Sequence, residues 1–230
     1  SAPHAPWLPP EETSGKTEEG ARGDMVALVD WAVGEIRAQL EEQGLLDDTL
    51  IVFTSDNGPR IGLNGHASAG PWRGYKSHTW EGGHRVPMIV RWPGRVPAGA
   101  VHSDPACLTD LLATFANLLD VEVPEGAAED SLDISRVLLG RAPREPIREV
   151  VISHSVRGAF TLRRGRWKLI LGTEGSGGWV APSDSTNPSD ESIGQLYDLQ
   201  EDPAETTDLF DEEPVVVAEL RALLDAARGT

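Results

Sequence analysis

Residues 49–58 read TLIVFTSDNG, an apolar run that ends in four small or polar residues. An apolar run without polar alternation is typical of a strand buried on both faces of a parallel sheet. Before it, apolar residues recur at three- and four-residue spacing over residues 24–43, which predicts an amphipathic helix with Asp24 as its cap and Gly44 as its stop. A helix, a short turn and a buried strand in this order indicate an open α/β sheet, in which ligands bind beyond the carboxyl ends of the strands.

Asp56 and Asn57 follow the predicted strand directly and therefore occupy such a carboxyl end. Their carboxylate and amide oxygens are the ligands that Ca²⁺ and Mg²⁺ prefer. Asp-Asn-Gly is also an ordinary turn sequence. The pair by itself therefore leaves a metal site and a simple turn both open.

A long glycine-rich segment over residues 59–83 follows, with little periodicity, and we predict a loop folded over a site. It contains GPWRGYK at residues 70–76 and TWEGG at residues 79–83, so that Lys76 lies between two glycine-rich stretches, where a backbone can approach a ligand closely. A second strand is predicted over residues 86–92 and an apolar helix over residues 108–119.

Shorter units follow after about residue 143, and they predict a second domain. The pattern indicates a strand at residues 150–153, a hairpin over residues 160–171, a mobile loop over 172–194, a strand at 196–199 and a closing helix over 214–227. The prediction is thus an α/β domain over residues 1–142 and a small antiparallel β subdomain with a closing helix over residues 143–230.

Composition narrows the function classes. The formal net charge is -17. A field of that sign repels nucleic acid and anionic membrane surfaces, so we expect no partner of either kind. Cys107 is the single cysteine, which excludes an intramolecular disulfide, and its apolar neighbours favour a buried structural thiol.

Several of these motifs, in this order, resemble the second half of the type I sulfatases, which belong to the alkaline phosphatase-like superfamily. They are TSDNGP at 54–59, GPWRGYK at 70–76, TWEGG at 79–83, RVP at 85–87, RWPG at 91–94, RWKL at 166–169 and LYDL at 196–199. The resemblance spans nearly the whole chain and implies that the α/β domain holds part of an alkaline phosphatase-like sheet with flanking helices.

The resemblance also implies roles for single residues. Asp56 and Asn57 match the metal-ligating pair of the family, normally for calcium, and Lys76 matches the lysine that contacts the sulfate and the leaving oxygen. His4, in PHAPW at residues 3–7, matches the active-site histidine near the leaving group. Charge on the equatorial sulfate oxygens and the departing alkoxide calls for a divalent cation, a lysine and a proton donor.

The remaining motif residues receive weaker assignments. Arg73 and Trp80 are interpreted as shaping the loop. The nearby histidines lack the i, i+4 spacing of a helical zinc site and are interpreted as lining the substrate site at most: His66, His78 and His84.

The chain also departs from the family pattern. Family members carry a Cys-x-Pro-x-Arg type motif, whose Cys or Ser becomes formylglycine, and two further metal-binding aspartates; neither feature occurs in these residues, and Cys107 is followed by Leu-Thr-Asp. We therefore expect an incomplete calcium site, no activity from the chain alone, and self-association through an exposed sheet edge. The family further implies an extracytoplasmic location.

Two classes of function remain. The first is hydrolysis of sulfate monoesters, with a sulfated carbohydrate, for example a polysaccharide, as the expected substrate, and a phosphate or phosphonate monoester hydrolase is its alternative within the superfamily. The second is a non-catalytic module with a sulfatase shape, which the missing nucleophile favours and the retained site residues disfavour.

Overall fold

The computed structural model describes residues 2–60, 69–179, 187–190 and 192–229. The chain divides into two compact units, of which the first comprises Ser1–Ile51 with Val90–Ala98 and the second comprises Val52–Ile89 with Gly99–Thr230. In the described ranges, no helix combines the length and the apolar character that crossing a membrane requires.

The first unit is built on α1, Gly20–Glu42. The helix begins earlier than predicted, and the prediction that Asp24 caps it was wrong. The Asp24 carboxylate is buried within the helix and accepts hydrogen bonds from the backbone N–H groups of Gly15 at 2.7 Å and Thr17 at 2.9 Å. It therefore fastens the preceding loop to the first turns of α1, and it accepts donors from outside the helix.

The strands β1, Ile51–Thr54, and β2, Met88–Arg91, form a two-stranded sheet. Every residue of β1 is half-buried, so the prediction of a strand buried on both faces was wrong. A strand is fully buried on both faces only where other layers cover both faces of its sheet. The guanidinium of Arg91 donates to the Leu46 carbonyl at 2.8 Å and pairs with Asp47 at 3.1 Å, which ties the end of β2 to the turn after α1.

Three helices lie in the middle of the second unit: α2 is Glu81–His84, α3 is Asp110–Leu118 and α4 is Ser135–Leu138. Burial raises the pKa of the Asp110 carboxyl, but hydrogen bonds from Arg148 and from backbone N–H groups outweigh it, and the pKa is lowered overall. Cys107 is half-buried, and its pKa is raised, chiefly by burial. A raised pKa keeps the thiol protonated near neutral pH, as the structural interpretation requires.

The C-terminal part is a four-stranded antiparallel sheet in the order β3-β4-β5-β6. The strands are β3 Val150–His154, β4 Phe160–Arg164, β5 Trp167–Leu171 and β6 Gly194–Asp198, and α5 is Pro214–Arg228. Its core joins the sheet to α5 through Leu162, Leu169, Leu171, Leu196, Val217, Leu220 and Leu224. The predicted antiparallel sheet and its closing helix are therefore confirmed, whereas the division into domains at residues 1–142 and 143–230 stays a prediction.

Candidate functional site

The predicted metal pair lies in a tight turn directly after β1. Asp56 is exposed, Asn57 is half-buried and Gly58 is buried. The Ser55 hydroxyl donates to the Asn57 carbonyl at 3.1 Å, which closes the turn. The exposed carboxylate and the neighbouring amide are oxygen donors of the kind that calcium binds.

Two backbone hydrogen bonds hold this turn against the glycine-rich loop. The N–H of Gly58 donates to the Gly83 carbonyl at 2.9 Å, and the N–H of Lys76 donates to the Pro59 carbonyl at 2.7 Å. A Cβ at position 58 would lie 1.9 Å from the Gly82 carbonyl oxygen, so no side chain fits there. The backbone of Lys76 is thereby placed beside the residues that follow the Asp56–Asn57 pair.

His4 belongs to the first unit, whereas the Asp56–Asn57 turn and Lys76 belong to the second. The His4 side chain is exposed, and its Nδ1 lies 2.7 Å from the Ala5 carbonyl oxygen. A carbonyl oxygen only accepts, so Nδ1 carries the proton in this contact. The roles assigned to His4, Lys76 and the metal pair stay predictions.

A buried charge cluster lies under the glycine-rich loop, and the motif analysis did not foresee it. Lys168 Nζ, on β5, lies 3.1 Å from Glu81 Oε1 and 2.8 Å from Glu205 Oε1. The Glu81 N–H donates to Glu205 Oε2 at 2.6 Å, and the Arg163 guanidinium lies 3.3 Å from Glu81 Oε2. A lysine within the apolar RWKL strand pattern was the available signal, because a buried lysine needs carboxylate partners.

The pKa values of the two carboxyl groups in this cluster, Glu81 and Glu205, are shifted in opposite directions. Burial raises the pKa of Glu81, but the charges of Lys168 and Arg163 outweigh that effect and leave the pKa lowered. Burial is also the largest effect on Glu205, and there it outweighs the charge of Lys168, so the pKa of Glu205 is raised. Glu81 is thus the firmly ionised partner of Lys168.

Arg73 and Trp80 connect the loop to the C-terminal sheet, as the interpretation of both as shaping residues predicts. The Arg73 guanidinium lies 3.6 Å from the centre of the Trp80 ring and donates to the Tyr197 hydroxyl at 3.2 Å. Trp80 Nε1 donates to Gln195 Oε1 at 3.0 Å. Burial, ahead of all other effects, raises the pKa of Tyr197 to about 12, so its hydroxyl stays protonated.

Two of the nearby histidines, His78 and His84, are buried and half-buried, respectively. His78 is 6% exposed and makes edge contacts with Tyr75 and Trp80, at ring-centre distances of 5.7 and 5.6 Å. Burial, followed by the charge of Lys168, lowers the pKa of His84 to about 4. His66 lies outside the described residues.

The parts of the chain with assigned positions contain no group of three or more His, Cys, Asp or Glu side chains suited to a metal ion. Asp56 and Asn57 therefore fit calcium in the chemistry of their donors but supply only part of a ligand set.

Two family models match the chain. The Sulfatase model covers residues 1–121, and the model described as N-sulphoglucosamine sulphohydrolase, C-terminal, covers residues 72–228. The chain belongs to the sulfatase family. The resemblance read from the sequence motifs is thereby confirmed.

Sulfatases of known sequence extend this result. The chain is 34% identical to the N-acetylgalactosamine-6-O-sulfatase of Bacteroides thetaiotaomicron, over 98% of this chain and 45% of that protein. It is 33% identical to the human arylsulfatase A, over 90% of this chain and 42% of that protein. The chain therefore spans a little less than half the length of each of these two curated sulfatases.

Solved sulfatase structures share the fold. A Bacteroides thetaiotaomicron protein solved in work on glycosaminoglycan metabolism superposes with a TM-score of 0.85 at 33% identity, covering 100% of this chain and 49% of that one. A sulfatase from Pseudoalteromonas sp. gives a TM-score of 0.77 at 29% identity, covering 98% of this chain and 46% of that one. The chain therefore has the sulfatase fold in this region.

Proposed function

We propose that this chain supplies the Asp56–Asn57 pair and Lys76 to a sulfatase that hydrolyses sulfate monoesters of carbohydrates. The proposal rests on the backbone hydrogen bonds that join the glycine-rich loop to the turn after β1. In one of them the Lys76 N–H donates to the Pro59 carbonyl at 2.7 Å. The Bacteroides relative is an N-acetylgalactosamine-6-O-sulfatase, which supports a carbohydrate sulfate as the substrate class.

The residue types suit this chemistry. Calcium, when bound by the oxygens of Asp56 and Asn57, supplies positive charge near the sulfate oxygens. The Lys76 ammonium is a compact point charge that stabilises the negative charge developing on the sulfate and on the departing oxygen. His4 is suited to donate a proton to that oxygen, because histidine is the side chain that most often acts as a general acid.

We further propose that the chain alone does not turn over sulfate esters. Its 230 residues contain neither a Cys-x-Pro-x-Arg nor a Ser-x-Pro-x-Arg motif, and the one cysteine, Cys107, precedes Leu108. The formylglycine that the family uses as nucleophile therefore has no precursor in these residues. Calcium-dependent release of nitrophenol from an aryl sulfate by the purified chain would contradict this statement.

Calcium and sulfate binding test the proposed site directly. We expect calorimetry to show weak calcium binding, in about the millimolar range, because affinity follows ligand count. Asp56→Ala should abolish it, whereas Asp48→Ala, at another exposed turn, should leave it unchanged.

Anion binding separates sulfatase from phosphatase chemistry. With calcium present, Lys76→Ala should remove binding of inorganic sulfate as followed by NMR. Equal sulfate binding by Lys76→Ala and the unmodified chain would contradict the proposed site. A clear preference for inorganic phosphate would favour the phosphate or phosphonate alternative.

A further inference from the structure

We propose that the exposed indole of Trp179 is a stacking surface for the sugar ring that carries the sulfate ester. This inference rests on the proposed function, because Lys76 supplies the contact to the sulfate itself. Trp179 is 60% exposed, although a tryptophan side chain is among the most favourable to bury. The exposed indole is therefore accessible to a ligand.

Trp179 is hydrogen-bonded to Ser77, the residue that follows Lys76. Its backbone N–H donates to the Ser77 hydroxyl at 3.3 Å. Ser77 has a φ of +83°, in the left-handed region that non-glycine residues rarely adopt. Such a conformation persists where the surroundings enforce it, and it commonly occurs at ligand sites.

The described residues just before Trp179 are firmly packed. Ser176 is 2% exposed, and its carbonyl accepts from the Thr79 N–H at 2.8 Å and from the Thr79 hydroxyl at 3.2 Å. A Cβ at Gly178 would lie 2.3 Å from His78 Cδ2, so the backbone before Trp179 passes directly over the imidazole. Trp179 thus projects from a fixed support, and a ligand that binds it loses little to loop ordering.

A second loop of the C-terminal sheet reaches the same place. The Val156 N–H donates to the Ser77 carbonyl at 3.2 Å, and the Val156 side chain is 47% exposed. Ser77 therefore receives backbone donors from two loops, each of which carries an exposed apolar side chain at the donor residue. Apolar surface and a lysine in this proximity match a sulfated sugar, whose ring has an apolar C–H face and whose ester is an anion.

The binding experiment uses the full chain with calcium and N-acetylgalactosamine 6-sulfate as the probe, followed by saturation-transfer NMR. We expect Trp179→Ala to raise the dissociation constant about tenfold, and Trp179→Phe to restore most of the affinity, because a ring face remains. Trp31→Ala is the matched control, because Trp31 is 48% exposed but lies in α1. It should bind like the unmodified chain.

Inorganic sulfate separates the two proposals. Trp179→Ala should bind inorganic sulfate as tightly as the unmodified chain, since that ion has no ring to stack. Equal affinity of Trp179→Ala and the unmodified chain for the sugar sulfate would overturn the proposed stacking surface. If Lys76→Ala also loses the binding of inorganic sulfate, the proposed function remains supported. No binding of either probe by the unmodified chain would overturn both.

Discussion

The Nζ atom of Lys168 lies 3.1 Å from Oε1 of Glu81, although 87 positions separate the two residues in the sequence. Lys168 is 2% exposed and Glu81 is 7% exposed, so the pair lies away from water. Glu81 begins α2, and Gly83 within α2 accepts the hydrogen bond that positions the turn after Asp56. The C-terminal sheet therefore supports the candidate site through a buried ion pair.

Lys168→Met should be strongly destabilising, by about 3–5 kcal/mol, because removal of one partner leaves buried carboxylates without compensation. The measurement is urea unfolding followed by circular dichroism. Arg164→Met is the control on the neighbouring strand, where the side chain is exposed. Its effect should stay within about 0.5 kcal/mol. Equal midpoints for the two variants would refute the supporting role of the ion pair.

Gly58→Ala should lower the free energy of unfolding by at least about 3 kcal/mol. The added methyl group would lie 1.9 Å from the Gly82 carbonyl oxygen, and that oxygen belongs to backbone that cannot turn aside. Gly34→Ala is the matched control, since a Cβ there meets nothing within 4 Å. That change should stabilise α1 by about 0.5–1 kcal/mol. Wild-type stability and calcium affinity in Gly58→Ala would count against the close approach.

The free energy of unfolding should fall as the pH decreases from 6.5 to about 4, the range between the ordinary pKa of His84 and its pKa in the folded chain. Burial, followed by the charge of Lys168, lowers the pKa of His84 from 6.5 to about 4. Between these values the unfolded chain holds a proton that the folded chain does not, so acidification favours unfolding. The slope contributed by one such group approaches about 1.4 kcal/mol per pH unit.

Denaturant unfolding at several pH values measures this slope. His84→Gln should remove the slope contributed by that residue, whereas His102→Gln, at an exposed histidine, should retain it. An unchanged pH dependence in His84→Gln would show that the imidazole titrates normally in the folded chain.

The chain should self-associate through the two-stranded sheet. Ile89, on β2, is 61% exposed, and exposed apolar strands with unpaired edges attract further strands. Light scattering should give an apparent mass above that of the monomer, and Ile89→Lys should reduce it. A monomer at every concentration tested would contradict the prediction.

Local patterns sufficed for most of the C-terminal subdomain. Alternating apolar residues and the turn at Gly165, whose φ is +57°, predicted the β4-β5 hairpin. Pro214 at the first turn of α5 and Gly229 just after its end mark a helix by chemistry that acts within a few residues. The motif order was likewise enough to assign the sulfatase family.

Three features depended on the path of the whole chain. Asp24 has the residue type of a cap, yet its carboxylate binds the preceding loop. Lys168 meets its carboxylates across 87 positions, and Trp179 is anchored to Ser77 across 102. Composition and periodicity report only on neighbours along the chain. The packing of strands and loops determines which groups that are distant in the sequence become neighbours in the interior. Polar groups that packing removes from water then need a hydrogen-bond or charge partner there.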